Sequence, residues 1–316
     1  MKSATHAVLI VDEFHPALYE ALSNANITFQ YEPDADRNRI IELLKLGFEG
    51  LIIRSKTHVD KELLKATPSL KWVGRGGSGM DNIDVKLAQE LGIEVFNAGA
   101  ANATAVAEHT LGMLLGLLHN LARADAEVRR RMWLREENRG TELKGKTAGI
   151  IGFGNTGSAV ANLLVGFGVK VLAYDKYKQN FGNNQIKEVN LNELQQSSDI
   201  ISLHVPLTDE TRRWINASFI AKCKKPFYLL NLSRGEVINT LDVVEGMKNN
   251  HIVGFAADVL ENEKPDSFGE IENRWFNELV GSRRTILAPH IGGWTFESYR
   301  KISEVLAAEV CTRMSC

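Results

Sequence analysis

Polar side chains that could do chemistry together follow three short apolar runs in the second half of the chain. Arg234 follows FYLLNL, Asp258 and Glu263 follow IVGFAA, and His290 follows TILA. A guanidinium fork can bind a carboxylate, and an imidazole can accept or return a proton. If the three runs are parallel strands, their carboxyl ends lie along one edge of a sheet and these groups can meet there. Taken singly, each is equally a solvated loop charge or a core histidine.

A strand–helix alternation from Thr147 onward predicts the sheet that would position these residues. The candidate strands are AGIIG, VKVLAY, DIISLHV, FYLLNL, IVGFAADV and TILAPH. Six strands suit one complete doubly wound nucleotide-binding domain of the Rossmann type. A long apolar helix, at about 103–121, is expected to precede them.

The first hundred residues show a similar alternation, with AVLIVD, ITFQY, GLIIR, KWVG and IEVF as candidate strands. They predict a second parallel sheet with helices on both faces, of the flavodoxin-like kind. A helical run from about Ile291 is expected to return to this outer domain. The fold class is therefore α/β, with two doubly wound domains. The expected boundaries are 1–98 and 289–316 for the outer domain and 99–288 for the central one.

Composition and charge restrict the class of protein. A length of 316 residues suits two domains, and a net charge of −2 gives no broad electrostatic case for nucleic acid or an anionic membrane. Cys223, Cys311 and Cys316 form no C-x-x-C pair, and their odd number argues against a disulfide framework, so a cytoplasmic protein is expected. The apolar run before Asp12 is too short for a signal peptide, and the run 105–121 contains charged and histidine side chains, so no membrane span is expected.

The stretch GIIGFGNTGSAV contains Gly152, Gly154 and Gly157 in the spacing G-x-G-x-x-G, between a candidate strand and a candidate helix. Glycines are needed at such a turn because a cofactor pyrophosphate must approach the backbone closely, and the helix N-terminus supplies free N–H groups to the anion. The third glycine lets the helix lie close to the strand. The turn therefore predicts a dinucleotide site.

Asp175 ends the next candidate strand, VKVLAYD. A carboxylate at that position can accept hydrogen bonds from the adenine-side ribose and repel a 2′-phosphate. NAD is therefore the expected cofactor. Lys176 and Lys178 lie nearby and weaken the preference over NADP.

Seven segments together resemble the D-isomer-specific 2-hydroxyacid dehydrogenase family, particularly its phosphoglycerate dehydrogenase branch. They are RGGSGMDNIDV (75–85), NATAVAEHTLGMLL (102–115), GKTAGIIGFGNTGSAVA (145–161), HVPLT (204–208), NLSRGEVIN (231–239), ADVLENE (257–263) and APHIGG (288–293). They occur in family order over most of the chain. The resemblance is to the short form of that branch, so feedback by serine through a C-terminal regulatory domain is not expected.

The resemblance implies that Arg234, Glu263 and His290 are the catalytic residues of a D-2-hydroxyacid dehydrogenase. Arg234 would bind the substrate carboxylate, and His290 would take the hydroxyl proton as hydride leaves the adjacent carbon. Glu263 would orient the imidazole and favour its protonated form. The family often has Pro directly after this Glu, whereas Lys264 intervenes before Pro265 here, which leaves the shape of the loop open.

The resemblance also implies a cofactor-binding set beyond the glycines and Asp175, with Asp258 contacting the nicotinamide carboxamide. The other members are Ser78, Asn155, Thr156, His204, Val205, Pro206, Leu232, Ser233, Gly292 and Gly293. No metal is implied.

The segment LIIRSKTHV (51–59) resembles the family loop that binds substrate in the outer domain. Arg54, Ser55, Gly77 and Asn102 are implied as substrate-binding residues, and Lys56 stands where phosphoglycerate dehydrogenases often have an Arg that meets the phosphate. An ordinary pair of surface charges, Arg54 and Lys56, is the alternative.

The segment VRRRMWLRE (128–136) resembles the arm through which family members form homodimers. Trp133 could anchor the partner, and Arg135 could reach the neighbouring active site as a further anion ligand. The alternative is a solvated basic helix.

The substrate expected from the resemblance is 3-phosphoglycerate, oxidised to 3-phosphohydroxypyruvate at the entry to serine biosynthesis. A glyoxylate/hydroxypyruvate reductase or another 2-ketoacid reductase is the alternative enzyme. An NADH-sensing corepressor-like binding protein is a more remote one. Gly99 and Ala100 depart from the family pattern at the expected hinge, where Pro and a polar or acidic residue are common.

Overall fold

The computed structural model describes residues 8–314. Ala7, the first residue of the N-terminal apolar run, and Cys316 lie outside them. The chain divides into two compact units, one formed by Met1–Ala103 and Trp294–Cys316 and the other by Thr104–Gly293. We call them the outer unit and the central unit. Their limits fall at 103/104 and 293/294, a few residues beyond the positions expected from the sequence.

The outer unit contains a five-stranded parallel sheet in the order β2-β1-β3-β4-β5. All five candidate strands are confirmed: β1 (Val8–Ile10), β2 (Phe29–Tyr31), β3 (Gly50–Ile53), β4 (Trp72–Arg75) and β5 (Glu94–Asn97). Successive side chains of a strand point to opposite faces. Val8 and Ile10 therefore join one buried cluster, whereas Leu9 and Val11 join another on the opposite face.

Helices cover both faces of the outer sheet, as predicted. They are α1 (Ala17–Asn24), α2 (Arg37–Leu44), α3 (Lys61–Ala66), α4 (Val85–Glu90) and α12 (Phe296–Met314). Aspartate side chains cap three of them; Asp60, for example, accepts from the N–H groups of Glu62 and Leu63 at the start of α3. The returning helix α12 packs against α1 and buries Ile302 and Leu306 in the outer core.

The central unit contains a seven-stranded parallel sheet in the order β12-β11-β10-β9-β6-β7-β8. Its strands are β6 (Thr147–Ile151), β7 (Lys170–Tyr174), β8 (Ile186–Glu188), β9 (Ile200–Leu203), β10 (Phe227–Asn231), β11 (Ile252–Ala257) and β12 (Thr285–Leu287). Apart from β12 this is the Rossmann strand order. The six predicted strands are confirmed, and the count of six was short by β8, an edge strand of three residues with one buried side chain.

The helices of the central unit lie on both faces of this sheet, against two buried clusters. They are α5 (Ala103–Leu118), α6 (Leu121–Arg129), α7 (Asn155–Gly166), α8 (Leu191–Ser197), α9 (Ala217–Ala221), α10 (Thr240–Lys248) and α11 (Glu270–Gly281). The predicted apolar helix near 103–121 is α5, which lies against β6 and β10 through Leu114 and Leu118 in the same buried cluster. Over residues 8–314, no helix is both long and apolar enough to cross a membrane.

Candidate active site and cofactor pocket

The three glycines of the turn between β6 and α7 have different structural requirements. Gly152 has a positive φ of 91°, and a Cβ there would overlap the carbonyl of His204. A Cβ on Gly157 would overlap the carbonyl oxygen of Gly152, so this glycine permits the helix to lie against the strand end. A Cβ on Gly154 would meet no protein atom within 4 Å. Gly154 therefore faces open space at the start of α7, where an anion can approach the first N–H groups of the helix.

Asp175 directly follows β7, and its carboxylate is fixed by the backbone. One oxygen accepts from Phe153 N at 2.7 Å, and the other accepts from the N–H groups of Tyr177 and Lys178 at 2.9 and 3.0 Å. Partial burial raises its pKa, but these hydrogen bonds outweigh that effect and hold the pKa of Asp175 below its ordinary value. Asp175 is therefore an ionised, rigid carboxylate at neutral pH.

A pocket of about 400 Å³ lies beside the glycine turn and Asp175. Of the predicted cofactor residues it brings together Gly152, Gly154, Asp175, His204, Val205 and Pro206. His204 is neutral at physiological pH, because burial lowers its pKa to about 4, and its Nε2 lies 2.8 Å from Ser202 Oγ. The glycine backbone and the fixed carboxylate fit the pyrophosphate and ribose of a dinucleotide.

Eight of the fourteen residues that line the pocket were not among the predicted cofactor residues. They are Ile151, Tyr174, Lys176, Tyr177, Thr208, Glu210, Thr211 and Trp214, and of these only Lys176 had been named, as a charge near Asp175. Four of the eight, Thr208, Glu210, Thr211 and Trp214, belong to HVPLT or to the loop that continues it, so the position of that motif after β9 could have indicated them. Asn155 and Thr156 begin α7, while Leu232 and Ser233 follow β10 and Gly292 and Gly293 follow His290; none of these six lines the pocket.

The loop that carries Arg234 is held by Asn231, the last residue of β10. Asn231 is fully buried; its Oδ1 accepts from Ser233 N at 3.2 Å and Ser233 Oγ at 2.8 Å, and its Nδ2 donates to the carbonyl of Arg234 at 2.9 Å. A Cβ on Gly235 would overlap the carbonyl of Leu260, so the Arg234 loop and the loop after β11 are in close backbone contact. Asn231 lies within the quoted motif NLSRG, but sequence reasoning did not single it out.

Glu263 and His290 are brought together across 27 residues of sequence. His290 Nδ1 lies 2.9 Å from Glu263 Oε2, and both side chains are partly exposed. The intervening Lys264 does not prevent this contact. Its N–H donates to Asn262 Oδ1 at 2.9 Å, and it begins a 3-10 turn over Pro265–Ser267.

Asp258 lies beneath the His290 loop and is only 2% exposed. Its carboxylate accepts from Ile291 N at 2.8 Å and Gly292 N at 2.7 Å, and its carbonyl accepts from His290 N at 2.7 Å. His109 Nε2, on α5, lies 3.5 Å from the same carboxylate. These contacts hold His290 at a φ of 57°, in the left-handed region that non-glycine residues seldom occupy. Contact between Asp258 and a nicotinamide stays a prediction.

In the outer unit, Arg54 follows β3, and its guanidinium lies 4.1 Å from the ring centre of Trp294 and 5.1 Å from that of Tyr299. Its backbone is fixed by Asp12, which accepts from Arg54 N at 2.6 Å. Burial lowers the pKa of Arg54. No carboxylate among residues 8–314 forms an ion pair with it. Sequence reasoning missed Asp12, Trp294 and Tyr299, because nothing in their spacing indicates that they meet Arg54.

The other predicted substrate residues have different surroundings. Ser55 is exposed, and Lys56 donates through Nζ to the carbonyls of Pro33 and Ala35. Gly77 has a φ of 144°, and Asn102 Oδ1 is buried without a hydrogen-bond partner in the described part of the chain. Ser78, predicted as a cofactor residue, also belongs to the outer unit.

The predicted dimerisation arm belongs to the central unit and is largely exposed. Asn138 joins it to α6, donating to Glu127 Oε2 at 2.5 Å and accepting from Arg123 Nε at 2.8 Å. Arg135 is exposed, and Trp133 is 78% exposed.

Comparisons with known proteins agree with this architecture. The family model described as "D-isomer specific 2-hydroxyacid dehydrogenase, NAD binding domain" matches residues 111–292. The D-3-phosphoglycerate dehydrogenase of Bacillus subtilis is 37% identical over 268 residues, which is 83% of this chain and 49% of that protein. The hydroxypyruvate reductase of Thermotoga maritima is 37% identical over 271 residues, 85% of this chain and 86% of that protein. This chain thus spans about half the length of the Bacillus relative.

Among solved structures, the D-lactate dehydrogenase of Aquifex aeolicus, complexed with NAD and lactic acid, superposes with a TM-score of 0.85. It is 30% identical, and the superposition covers 98% of this chain and 95% of that one. The chain therefore belongs to the D-isomer-specific 2-hydroxyacid dehydrogenase family, and its central unit is the NAD-binding domain of that family.

Proposed function

We propose that the protein oxidises 3-phosphoglycerate to 3-phosphohydroxypyruvate with NAD, and catalyses the reverse reaction, at the entry to serine biosynthesis. The 2.9 Å contact between His290 and Glu263 carries the redox part of this proposal. It supplies a proton-transfer group, oriented by a carboxylate, in the loop after the last strand of an NAD-binding sheet.

In the proposed oxidation, His290 accepts the proton of the substrate hydroxyl through Nε2, because Nδ1 is bonded to Glu263. The bond between C2 and its hydrogen breaks as the carbonyl forms, and NAD, when bound, accepts the hydride. Arg234 binds the substrate carboxylate through its fork. Asp258 keeps the loop of His290 in place by accepting the two N–H groups that follow the imidazole.

The environment of Arg54 supports a substrate with a second anionic group. Its guanidinium is held by the faces of two aromatic rings and forms no ion pair within residues 8–314. A partly desolvated cation without a carboxylate partner is a strong ligand for an external anion. The phosphate of 3-phosphoglycerate is such a group, and the relatives named D-3-phosphoglycerate dehydrogenase agree with this choice.

A hydroxypyruvate reductase is the second candidate. It is favoured by the Nζ of Lys56, which donates to two backbone carbonyls and so is engaged within the protein. The relative named hydroxypyruvate reductase also matches over most of its length.

The test is a panel of kcat/KM values with NADH and 3-phosphohydroxypyruvate, hydroxypyruvate, glyoxylate and pyruvate. If Arg54 binds phosphate, Arg54→Gln should raise KM for 3-phosphohydroxypyruvate at least about tenfold more than for hydroxypyruvate, since a hydrogen bond to a charged group contributes about 1.5–3 kcal/mol. Lys56→Ala is the matched variant at the second cation. Equal effects on the phosphorylated and unphosphorylated substrates, with hydroxypyruvate preferred by the unaltered protein, would establish the second candidate.

We further propose a cytoplasmic homodimer formed through the arm. The exposed Trp133 supports it, because large exposed aromatic side chains are enriched at interfaces. In such a dimer Arg135 would supply an anion ligand to the partner's site. Sedimentation of Trp133→Asp should give a monomer where the unaltered chain gives a dimer, and a dimeric variant would exclude this interface.

A further inference from the structure

Two lysines directly follow the ribose-side carboxylate, and they differ in what holds them. Lys178 Nζ donates to the carbonyl of Phe153 at 3.0 Å, inside the loop that Asp175 fixes. Lys176 instead lines the pocket, where it forms an ion pair with Glu210, another lining residue. The pocket thus contains a cation that directly follows Asp175, the carboxylate expected to bind the adenine-side ribose, and a second carboxylate that is paired with this cation.

Glu210 is itself held in position. It belongs to the loop after β9, and the hydroxyl of Tyr177 donates to Glu210 Oε2 at 3.3 Å. Lys176 lies 5.5 Å from the ring centre of the same Tyr177. The ion pair therefore closes one side of the pocket by joining the loop after β7 to the loop after β9.

We propose that Glu210 determines the selectivity for NAD over NADP by forming an ion pair with Lys176. With Glu210 present, the charged side chains that line the pocket, Asp175, Lys176 and Glu210, sum to one negative charge, and His204 adds none because its low pKa keeps it neutral. Such a pocket accepts the uncharged ribose hydroxyls of NAD and repels the 2′-phosphate of NADP. Without Glu210, Lys176 is free to pair with that phosphate, and Asp175 alone opposes it.

The exposure of the pair makes this proposal testable without disturbing the fold. The Lys176 and Glu210 side chains are 53% and 59% exposed. Exposed ion pairs contribute little to stability, so removing one carboxylate should leave the melting temperature almost unchanged. The effect on a bound dianion can still be large, because the variant both loses a repelling charge and frees an attracting one.

The experiment compares dissociation constants of NADH and NADPH, measured from nucleotide fluorescence on the full chain without substrate. Glu210→Gln should tighten NADPH binding about tenfold and change NADH binding less than about twofold at low ionic strength. The gain should shrink as salt is added, because it is electrostatic. In the double variant Lys176→Ala/Glu210→Gln, most of the gain should disappear.

Glu193→Gln is the matched control. Glu193 pairs with Lys187 at 2.6 Å on the surface of the same unit, and neither residue lines the pocket. This variant should leave the NADPH/NADH ratio unchanged. The proposal is overturned if Glu210→Gln leaves that ratio within twofold of the unaltered protein, if the gain persists without Lys176, or if Glu193→Gln reproduces it.

Discussion

The glycine turn of the central unit and the Arg54 loop of the outer unit both follow a parallel strand, yet they are built in opposite ways. The turn is formed by residues that are close in sequence, and its function requires glycines, because a Cβ would overlap the backbone or occupy the space that the ligand needs. The Arg54 loop depends on a side chain that is positioned by Trp294 and Tyr299, from the far end of the chain. A backbone site can therefore be identified in a short motif, whereas a side-chain site depends on the fold that assembles it.

Both loops bind ligands, whereas the proton transfer is assigned to His290, and the largest expected effect is therefore at that residue. His290→Gln should lower kcat about a thousandfold, within the range of 10²–10⁴ that general acid–base catalysis contributes. NADH affinity, measured by fluorescence titration, should stay within about twofold, because His290 does not line the cofactor pocket. Retained turnover would remove His290 from the mechanism.

The glycine turn can be tested by adding one methyl group at two positions. Gly157→Ala should destabilise the protein by about 1–3 kcal/mol even without cofactor, since its Cβ overlaps the carbonyl of Gly152. Gly154→Ala should leave the melting temperature of the apo protein unchanged, because its Cβ meets no protein atom within 4 Å.

The same two variants separate packing from ligand approach. Gly154→Ala should weaken NADH binding about tenfold, which corresponds to about 1.4 kcal/mol, because the methyl group lies where the pyrophosphate approaches. Calorimetry of the apo proteins measures the melting temperatures, and titration with NADH measures the affinities. Unchanged NADH affinity in Gly154→Ala would contradict the assignment of this glycine to the cofactor.

The difference between the two loops also explains how far the sequence alone could lead. It predicted both sheets and the convergence of Glu263 and His290, because parallel strands fix where their ends lie. It missed β8, whose three residues carry too little apolar pattern, and it gave no indication of Glu210 as a partner of Lys176. Contacts between side chains on separate loops depend on loop conformation, which no periodicity encodes.

Asp258 combines features of both loops, because its buried side chain positions the backbone of the His290 loop. Asp258→Asn should lower kcat about tenfold, which is equivalent to about 1.4 kcal/mol of transition-state stabilisation. The two carboxylate oxygens of Asp258 accept from the two N–H groups that follow His290, whereas an asparagine side chain has only one oxygen. Steady-state kinetics with saturating NADH measure kcat. If kcat is unaltered, the loop of His290 does not need this anchor.

Ionisation of Asp258 should also make the stability of the protein depend on pH. Burial raises the pKa of Asp258, but the nearby His109 imidazole and the hydrogen bonds from the N–H groups of residues 291 and 292 outweigh this effect and leave the pKa lowered. The stabilisation is therefore complete above the unfolded pKa of about 3.9 and is lost as the pH falls through the folded value. The difference in melting temperature between the unaltered protein and Asp258→Asn should be largest near pH 7 and shrink in acid.

The smallest expected effect addresses the aromatic support of Arg54. Trp294→Ala removes the nearer ring, while Tyr299 still faces the guanidinium, so the lost cation–π contact should contribute only about 0.5–1 kcal/mol. KM for 3-phosphohydroxypyruvate should therefore rise about two- to fivefold with kcat unchanged, which is the signature of lost ground-state binding. Trp294→Phe keeps a ring and should recover most of the loss, and KM for glyoxylate, which has no phosphate, should not move in either variant. An equal rise of KM for glyoxylate would show that Trp294 supports the substrate site in general. Arg54 could then not be regarded as a phosphate ligand that depends on this ring.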